Sequence, residues 1–244
     1  MIDLHCHLLP GIDDGPKTSE EALELAQIAS ANGITHAIVT PHIIPGRYDN
    51  TLRSIKTVFS DYYRRVKQGN NPLQLGMAAE IRIDPVIKTM VETKSVPFLG
   101  EDNGFKIVLL EFPHNILPPG SIEMMEWLLK RNIRPMIAHP ERNQAVVRKY
   151  SIIEPFVKSG CLLQITAGSL FGVFGSEPKK TARKLLKKGW VNIIASDAHN
   201  NHKRKPEIEP GRKVAEKIVG ETESWAMVRD RPRIYTRNQF GTED

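Results

Sequence analysis

Short runs of apolar residues alternate along the chain with longer segments in which apolar residues recur every three or four positions. The short runs are rich in β-branched residues, which is typical of strands buried on both faces. Residues 34–40, for example, have the sequence Ile-Thr-His-Ala-Ile-Val-Thr. Seven such runs predict strands at residues 1–4, 34–40, 73–81, 105–112, 134–138, 161–166 and 191–196.

Helical periodicity fills most of the segments between these strands. The first helix is predicted to begin at Thr18 or Ser19, where Glu21 completes a capping pattern, and to end at Asn32-Gly33. Further helices are predicted at residues 50–67, 85–93, 118–131, 151–159, 178–188, 206–219 and 222–229, followed by a tail at residues 235–244.

The alternation of strands with helices indicates a parallel sheet covered by helices. No linker rich in Pro, Gly or Ser, no repeat and no change in composition divides the chain, so residues 1–244 are predicted to form a single domain. The pattern alone leaves two architectures open, a closed barrel and a doubly wound open sheet.

Six of the seven predicted strands end at a histidine or a carboxylate. His5 and His7 are two residues apart, so on a strand both imidazoles point to the same side. Pro10-Gly11 then turns the chain and returns Asp14 toward them. The other strand ends carry His42, Glu80, Glu111, His139, Asp197 and His199, whereas the sixth strand ends in Gln164-Ile165-Thr166. In a parallel barrel the carboxyl ends of the strands meet, so these side chains are expected to share one site.

This set of nine imidazole and carboxylate side chains exceeds what a single ion binds. Two or three divalent ions that share carboxylates are therefore expected. A set without thiolate suits Zn²⁺, Mn²⁺ or Fe²⁺, and the residue types do not choose among them. Clustered ions are used to hold a hydroxide and to stabilise an in-line displacement at phosphorus. The sequence therefore predicts a metal-dependent phosphoesterase.

The same residues resemble a known family. The opening segment, Ile-Asp-Leu-His-Cys-His-Leu-Leu-Pro-Gly-Ile-Asp-Asp-Gly, is similar to the start of a PHP (polymerase and histidinol phosphatase) domain. Within that superfamily, the chain most resembles the bacterial metal-dependent protein-tyrosine phosphatases of capsule and exopolysaccharide operons, the CpsB/YwqE type. The other matching motifs, which extend to about residue 205, are Thr-Pro-His42, Ala-Glu80-Ile, Leu-Glu111-Phe, Ala-His139-Pro-Glu-Arg142 and Ser-Asp197-Ala-His199.

This resemblance implies a distorted (β/α)7 barrel of the PHP type with a trinuclear metal centre. The implied ligand sets are His5, His7, Glu80 and Asp197 for one ion, Glu80, Glu111 and His139 for the second, and Asp14, His42 and His199 for the third. Many PHP proteins have a histidine in place of Asp14 or Glu111, and the acidic residues here match the tyrosine-phosphatase branch. Their harder oxygens favour Mn²⁺, with Fe²⁺ and Zn²⁺ as alternatives.

Arginines that follow the strand ends are candidates for binding a phosphoryl group. The resemblance gives this role to Arg142, three residues after His139, and to Arg204, five residues after His199. Arg47, in the loop after His42, is a further candidate.

We expect a hydroxide held by the ions to attack phosphorus directly, without a phosphoenzyme, while the ions and arginines neutralise the equatorial oxygens. The candidates for the assisting acid are Asp197, His199 and a metal-bound water.

The two cysteines do not fit a cysteine-based phosphatase, which needs an arginine six residues after the nucleophile. Ile12 follows Cys6 at that spacing, and Ala167 follows Cys161. Cys6 is predicted to be a small buried residue of the wall. Other residues are given structural interpretations: Asp3 and Asp13 support a strand, a turn or a ligand, His36 is structural, and His114 and His202 are loop residues.

Composition refines the expected partners and location. The formal net charge of +6 favours an anionic partner. Two cysteines suit a reduced, cytoplasmic compartment, no signal peptide is visible, and no apolar run approaches the roughly 20 residues that a membrane span requires. The basic helix at residues 179–188 is expected to be an exposed face over a core stripe, not a nucleic-acid site. The oligomeric state is left open.

Three functions are compatible with this sequence. The resemblance implies hydrolysis of phosphotyrosine on a bacterial tyrosine kinase that regulates capsular or exopolysaccharide synthesis. A second candidate is another PHP phosphoesterase, either a histidinol-phosphate phosphatase or an exonuclease-like hydrolase, and the acidic residues Asp14 and Glu111 argue against it. A third is a degenerate PHP domain that only binds a partner, and the complete ligand set argues against that function.

Overall fold

Strands and helices cover most of residues 1–240, the part of the chain that the computed structural model describes. The strands are β1 Ile2–Cys6, β2 His36–Val39, β3 His42–Ile43, β4 Gln74–Met77, β5 Glu80–Arg82, β6 Gly100–Asp102, β7 Phe105–Glu111, β8 Ile133–Ala138, β9 Leu162–Thr166 and β10 Ile193–Ala195. The α-helices are α1 Ser19–Ala31, α2 Leu52–Gln68, α3 Val86–Glu92, α4 Ser121–Leu129, α5 Gln144–Arg148, α6 Glu154–Ser159, α7 Ala167–Phe171, α8 Ser176–Lys187, α9 Glu209–Val219, α10 Glu221–Trp225 and α11 Arg231–Thr236.

The strands form two sheets. One has the order β1-β2-β4 and the other the order β10-β9-β8-β7-β5-β3, and every pairing within these two paths is parallel. Strand β6 was not anticipated from the sequence, and it forms an antiparallel hairpin with β7. The predicted α/β fold with parallel sheets is therefore confirmed, whereas closure of these sheets into a barrel stays a prediction.

The predicted strand at residues 34–40 is β2, and a further short strand, β3, begins just beyond its predicted end, whereas the predicted strand at residues 73–81 is broken into β4 and β5. The break between β2 and β3 follows Thr40, where Pro41 lacks the N–H that a ladder needs. The break between β4 and β5 falls at Ala78-Ala79. The parts before the breaks, β2 and β4, pair with each other in the first sheet, and the parts after them, β3 and β5, pair in the second. The second pairing places His42 directly opposite Glu80.

Hydrogen bonds also connect the edges of the two sheets. The amide of Asp197 donates to the carbonyl of His5 at 2.8 Å, and the amide of His7 donates to the carbonyl of Ala198 at 2.8 Å. The end of β1 therefore lies beside the segment that follows β10. This contact brings the first strand and the last strand of the chain to the same place.

The C-terminal segment contains more helix than the sequence predicts. A π-helical turn, Ala226–Asp230, leads into α11, so the predicted tail begins inside a helix, and its last part, 241–244, lies outside the described residues. Tyr235 is buried in a small apolar cluster with Ile2 and Leu4, and Phe240 packs against the same cluster. This segment covers the beginning of β1. Within residues 1–240, no helix combines the length and apolar character that crossing a bilayer needs.

Candidate metal centre and substrate cleft

The structure brings together all nine side chains that the sequence places at strand ends. Their nitrogen and oxygen atoms form four overlapping groups, within each of which the atoms lie no more than 4.8 Å apart. The members are His5, His7, Asp14, His42, Glu80, Glu111, His139, Asp197 and His199. All are buried except Asp14, whose side chain is 39% exposed. The cluster therefore has a closed interior and one open edge at Asp14.

Glu80 lies at the centre of the cluster and is fully buried. Its Oε2 atom is 3.2 Å from His5 Nε2, 3.3 Å from His7 Nε2 and 3.0 Å from His42 Nδ1. Its Oε1 atom is 2.7 Å from His139 Nε2. One carboxylate thus contacts four imidazoles, which fits a residue that bridges two ions.

His5, on β1, and His7, directly after it, are oriented by other side chains. Nδ1 of His5 is 2.8 Å from Oε1 of Gln164, and Nδ1 of His7 is 2.7 Å from Oδ2 of Asp13. Each ring therefore turns its Nε2 toward the cluster, where the two Nε2 atoms are 3.1 Å apart. The carboxylate of Asp13 also accepts the amide of His42 at 3.0 Å, so it holds two members of the cluster in place. That Asp13 supports a metal ligand stays a prediction.

The backbone is left-handed at two of the strand ends. His139 has φ 31° and Asp197 has φ 53°, a region that residues other than glycine adopt only in a small minority of cases. His139 directly follows β8, and Asp197 is the second residue after β10. Such a conformation costs free energy and is kept where the surroundings require it, which is common in functional sites. Here it turns both side chains into the cluster.

The carboxylate of Asp197 has two different sets of neighbours. Its Oδ1 atom faces His5 Nε2 at 3.3 Å and His199 Nδ1 at 3.7 Å. Its Oδ2 atom accepts hydrogen bonds from the guanidinium groups of Arg142 and Arg204, the second at 2.7 Å. One oxygen of this carboxylate is therefore available to the cluster while the other holds two arginines.

The open edge of the cluster is formed by Asp14, His42 and His199. Oδ1 of Asp14 is 3.3 Å from His42 Nε2 and 3.4 Å from His199 Nε2. Nδ1 of His42 faces inward, 3.0 Å from Glu80 and 3.5 Å from Oε1 of Glu111. His42 thus connects the exposed group to the buried one.

The donor atoms fit bound cations. Four buried atoms that face the cluster, namely Glu80 Oε2, Asp197 Oδ1, His42 Nδ1 and His199 Nε2, have no hydrogen-bond partner among the described residues. Buried polar atoms are normally paired, so four orphans that converge on one region require an explanation. Imidazole nitrogens and carboxylate oxygens about 3 Å apart are arranged as ligands of a shared ion would be, and the set suits divalent transition metals.

Electrostatics in the cluster follow from burial and from the neighbouring charges. Burial disfavours the charged form of His5, but the carboxylates of Glu80 and Asp197 outweigh it and raise its pKa to about 9. For Glu80, burial opposes ionisation, but the imidazoles of His5, His42 and His139 hold its pKa well below the usual range. Burial and then Arg142 lower the pKa of His139 to about 4. The carboxylate of Glu80 is thus kept ionised, as a metal ligand needs to be. Burial and then the charge of Glu80 raise the pKa of Glu111 to about 7.

A cleft of about 170 Å³ opens beside the ligand cluster. Four arginines line it. Arg142 and Arg204 are held by Asp197 and are still 21% and 22% exposed, so part of each guanidinium faces the cleft. Arg82 donates from Nε to Oε1 of Glu111 at 2.9 Å, and its Nη2 atom lies 2.9 Å from the same oxygen. Arg47 is exposed at the mouth, 5.1 Å from the centre of the Tyr48 ring. The cleft therefore offers positive charge next to the cluster.

Phe174 contacts both of the arginines that bind Asp197. The ring centre is 4.4 Å from the guanidinium carbon of Arg142 and 5.9 Å from that of Arg204. Cation–π contacts of this kind are attractive, so the ring stabilises the two side chains as a pair.

Several residues outside the predicted set shape the site. Gln164, on the strand that was expected to provide no ligand, positions His5, and Arg82 positions Glu111. Arg82 is two residues after Glu80 on β5, so the period of two along a strand places it on the same side as Glu80, but its partner Glu111 is known only from the structure. His114 lies in the loop after β7, as predicted, and it also lines the cleft.

The cysteines are placed as expected. Cys6 is fully buried in the core, and burial raises the pKa of its thiol well above the usual range. Its Sγ donates to the carbonyl of Ile38 at 3.4 Å. Burial likewise raises the pKa of Cys161 to about 11. Both thiols are thus buried, and their surroundings disfavour the thiolate form that a cysteine nucleophile needs.

We predict that Asp13→Ala lowers metal affinity by about 10- to 100-fold, because the ring of His7 loses the carboxylate that orients it. Metal content after dialysis against graded chelator concentrations measures this change. Asp13→Asn keeps an oxygen that can accept the Nδ1 proton of His7, so it should recover part of the affinity. Retention of the original affinity by the alanine variant would show that His7 is oriented by its other contacts.

Three comparisons place the chain among known proteins. Residues 1–235 match the family model for capsular polysaccharide synthesis proteins, CpsB/CapC. The chain is 34% identical over 200 residues to the putative tyrosine-protein phosphatase CapC of Staphylococcus aureus, covering 82% of this chain and 77% of the relative. It is 33% identical over 239 residues to the tyrosine-protein phosphatase YwqE of Bacillus subtilis (strain 168), covering 98% of this chain and 92% of the relative.

Solved structures also match this chain. A crystal structure from work on the metal-dependent tyrosine phosphatases YwqE of Bacillus subtilis and CpsB of Streptococcus pneumoniae matches 98% of this chain and 95% of the other, with a TM-score of 0.90 and 31% identity. A histidinol phosphate phosphatase from Lactococcus lactis shares the fold, with a TM-score of 0.55 and 15% identity over 89% of this chain and 93% of the other. The match over nearly its full length shows that this chain belongs to the CpsB/CapC family of capsular polysaccharide synthesis proteins.

Proposed function

We propose that this protein is a metal-dependent phosphotyrosine-protein phosphatase, a phosphoric monoester hydrolase that uses no cysteine nucleophile. One observation carries the proposal: the nine-residue ligand cluster lies beside a cleft lined by arginines, and Asp197 contacts both. A phosphoryl dianion that enters the cleft would meet bound cations on one side and guanidinium groups on the other. The names of the relatives support tyrosine phosphate as the substrate.

We propose two or three divalent ions as the cofactor, with Mn²⁺ favoured and Fe²⁺ or Zn²⁺ as alternatives. Glu80 would bridge two ions because its two oxygens face different imidazoles. The inner groups would be completed by His5, His7, Glu111, His139 and Asp197, and the outer one by Asp14, His42 and His199. Carboxylate oxygens in both inner and outer groups favour a harder ion such as Mn²⁺.

The proposed reaction divides its work between ions and side chains. When bound, the ions supply a water-derived nucleophile at neutral pH and positive charge against the phosphoryl oxygens. Arg142 and Arg204 bind the remaining oxygens and stay charged throughout, because a guanidinium does not lose its proton in this pH range. The leaving tyrosine phenolate has an unperturbed pKa of about 10, so it leaves more readily than an alkoxide. Asp197 and His199 are the candidates for assisting its protonation.

The finer structural and cellular assignments are proposals as well. The two sheets are proposed to act as one distorted (β/α)7 barrel, because β1 bonds to the segment after β10, and residues 1–244 as one phosphoesterase domain. The proposed partner is a phosphotyrosine-bearing bacterial tyrosine kinase that controls capsular or exopolysaccharide synthesis, and the proposed location is the cytoplasm. The family description supports the link to capsule synthesis.

A substrate panel tests the proposal. The purified protein, with added Mn²⁺ and with chelator, is given a phosphotyrosine peptide, a phosphoserine peptide, histidinol phosphate and single-stranded DNA. We expect turnover of the phosphotyrosine peptide at least tenfold above the others, and its loss with chelator. Preference for histidinol phosphate or DNA would replace the proposed function with another PHP phosphoesterase. Turnover that survives complete metal removal would contradict the metal-dependent mechanism.

A further inference from the structure

The loop that follows His42 is a tight turn. The amide of Ile44 donates to the carbonyl of Tyr48 at 3.0 Å, and the amide of Tyr48 donates back to Ile44 at 2.8 Å. Gly46 supplies the left-handed backbone that the turn needs, with φ 77°, and its amide donates to Oδ1 of Asp49 at 2.7 Å. These bonds fix the position of Tyr48 without using its side chain.

The same loop is tied to the ligand cluster. Nδ2 of Asn50 donates to the carbonyl of His42 at 2.8 Å and to the carbonyl of Ile12 at 2.9 Å. The ring of Tyr48 lies parallel to that of His42, with an angle of 8° between the planes and 5.6 Å between the centres. An aromatic side chain is therefore held at a set distance from the site where a phosphoryl group would bind.

The cleft has a polar part and an apolar part. Arginines and ligand side chains make part of it strongly polar, and Ile44, Tyr48 and Phe112 provide apolar surface in the same cavity. Ile44 and Phe112 are buried, so Tyr48, which is half-buried, presents the larger aromatic surface to a ligand. A ligand with an anionic head and an aromatic body would satisfy both parts, whereas an alkyl phosphate would satisfy only the first.

We propose that Tyr48 is the residue that selects aryl phosphates, by packing against the phenyl ring of the substrate while the phosphoryl group lies between the ligand cluster and Arg142. This proposal rests on the proposed phosphatase function and deepens it, because it assigns the preference for tyrosine over serine to one side chain. Aromatic pairs prefer offset or edge-to-face contacts, which a half-buried ring at the cleft can offer.

The test compares two ligands that differ only in the ring. Phenylphosphonate and methylphosphonate carry the same head group and are not hydrolysed, so their dissociation constants can be measured by calorimetry with the Mn²⁺-loaded protein. We expect Tyr48→Ala to weaken phenylphosphonate about tenfold relative to methylphosphonate, the size of one aromatic contact with its buried area. Tyr48→Phe should keep the original ratio, because the contact needs the ring and not the hydroxyl.

Controls separate this role from others. Tyr63 on α2 is exposed and outside the cleft, so Tyr63→Ala should leave the ratio unchanged. If Tyr48→Ala weakens both phosphonates equally, the ring acts by holding His42 and the proposal is overturned. An unchanged ratio overturns it too. Tyr48→Leu, which keeps apolar bulk without a ring, repeats the test if the alanine variant binds less Mn²⁺.

The binding test does not depend on turnover. A shifted ratio in a protein that hydrolyses no phosphotyrosine peptide would leave the aryl site standing and would remove the proposed function. If the protein hydrolyses the phosphotyrosine peptide but Tyr48→Ala does not change the ratio of the two phosphonate dissociation constants, the proposed function would stand and the aryl site would be removed. The two proposals can therefore fail separately.

Discussion

Glu80→Gln is expected to abolish metal-dependent phosphatase activity while leaving the fold intact. The substitution keeps the shape of the side chain and removes its charge. Glu80 is fully buried and contacts four imidazoles, so it is the group through which the inner ligands share ions in the proposed centre. An amide oxygen is a weaker ligand than a carboxylate, and the amide NH2 group would face the cations.

The expected fall in kcat/KM can be derived from the negative charge that bound ions stabilise in the transition state. That stabilisation is several kcal/mol, and each 1.36 kcal/mol is tenfold in rate, so kcat/KM should fall by roughly 10³-fold or more. Elemental analysis of the purified variant should show fewer bound ions per chain than the wild-type protein. Normal metal content in the variant would show that Glu80 is not a bridging ligand.

Glu141→Gln is the matched control. Glu141 is also a fully buried carboxylate, but it accepts hydrogen bonds from the Thr166 amide at 2.9 Å and the Ser169 hydroxyl at 2.7 Å instead of facing the cluster. Burial raises its pKa to about 6, so the loss of its charge should be less costly here than at Glu80. This variant should keep its metal. A loss equal to that of Glu80→Gln would mean that removing any buried carboxylate disrupts the site indirectly.

The ligand positions could be predicted from the sequence because they depend on local rules. A side chain at the carboxyl end of a parallel strand points to one edge of the sheet, whatever the exact bounds of the strand. The prediction for Glu80 therefore survived although residues 73–81 are two strands and not one. The same holds for His42, which lies on β3 and not at the end of a single long strand.

Features that depend on side-chain pairing across the molecule could not be predicted in this way. Gln164 and Arg82 act on His5 and Glu111, which lie far away in sequence, and only the register between strands brings them together. Strand β6 and the short helices α5 and α7 have too few residues for a clear period. The division into two sheets follows from breaks at Pro41 and at Ala78-Ala79. The first coincides with the predicted end of a strand, whereas the apolar composition of residues 73–81 does not reveal the second.

Asp197 connects the ligand cluster to the two arginines Arg142 and Arg204. The sequence predicts each of these two sets, but it does not predict that they share a contact. The sequence places Arg142 near His139 and Arg204 near His199, each beyond a different strand. In the structure both arginines bind the same oxygen of Asp197, and its other oxygen faces the imidazoles. The groups proposed to bind the phosphoryl group and those proposed to bind the ions are thereby linked through a single carboxylate.

This link leads to a second large expected effect. Arg142→Ala should lower kcat/KM for a phosphotyrosine peptide by roughly 10²- to 10³-fold, the loss seen when one donor to a developing negative charge is removed. Its metal content should stay normal, because Arg142 donates to Asp197 Oδ2 while the cluster uses Oδ1 and Arg204 still holds Oδ2. His139→Ala should lose both activity and metal, since its Nε2 is 2.7 Å from Glu80.

Arg142→Lys separates the contribution of positive charge from that of the planar guanidinium group. A lysine keeps the positive charge but loses the planar fork that can bind two oxygens of a phosphoryl group, so it should recover only a small part of the activity. Full recovery would mean that charge alone matters at this position. Arg148→Ala, on the exposed side of α5 and away from the cleft, should behave as wild type. Equal metal loss in Arg142→Ala and His139→Ala would contradict the division of roles, because it would make Arg142 part of what holds the ions instead of what binds the phosphoryl group.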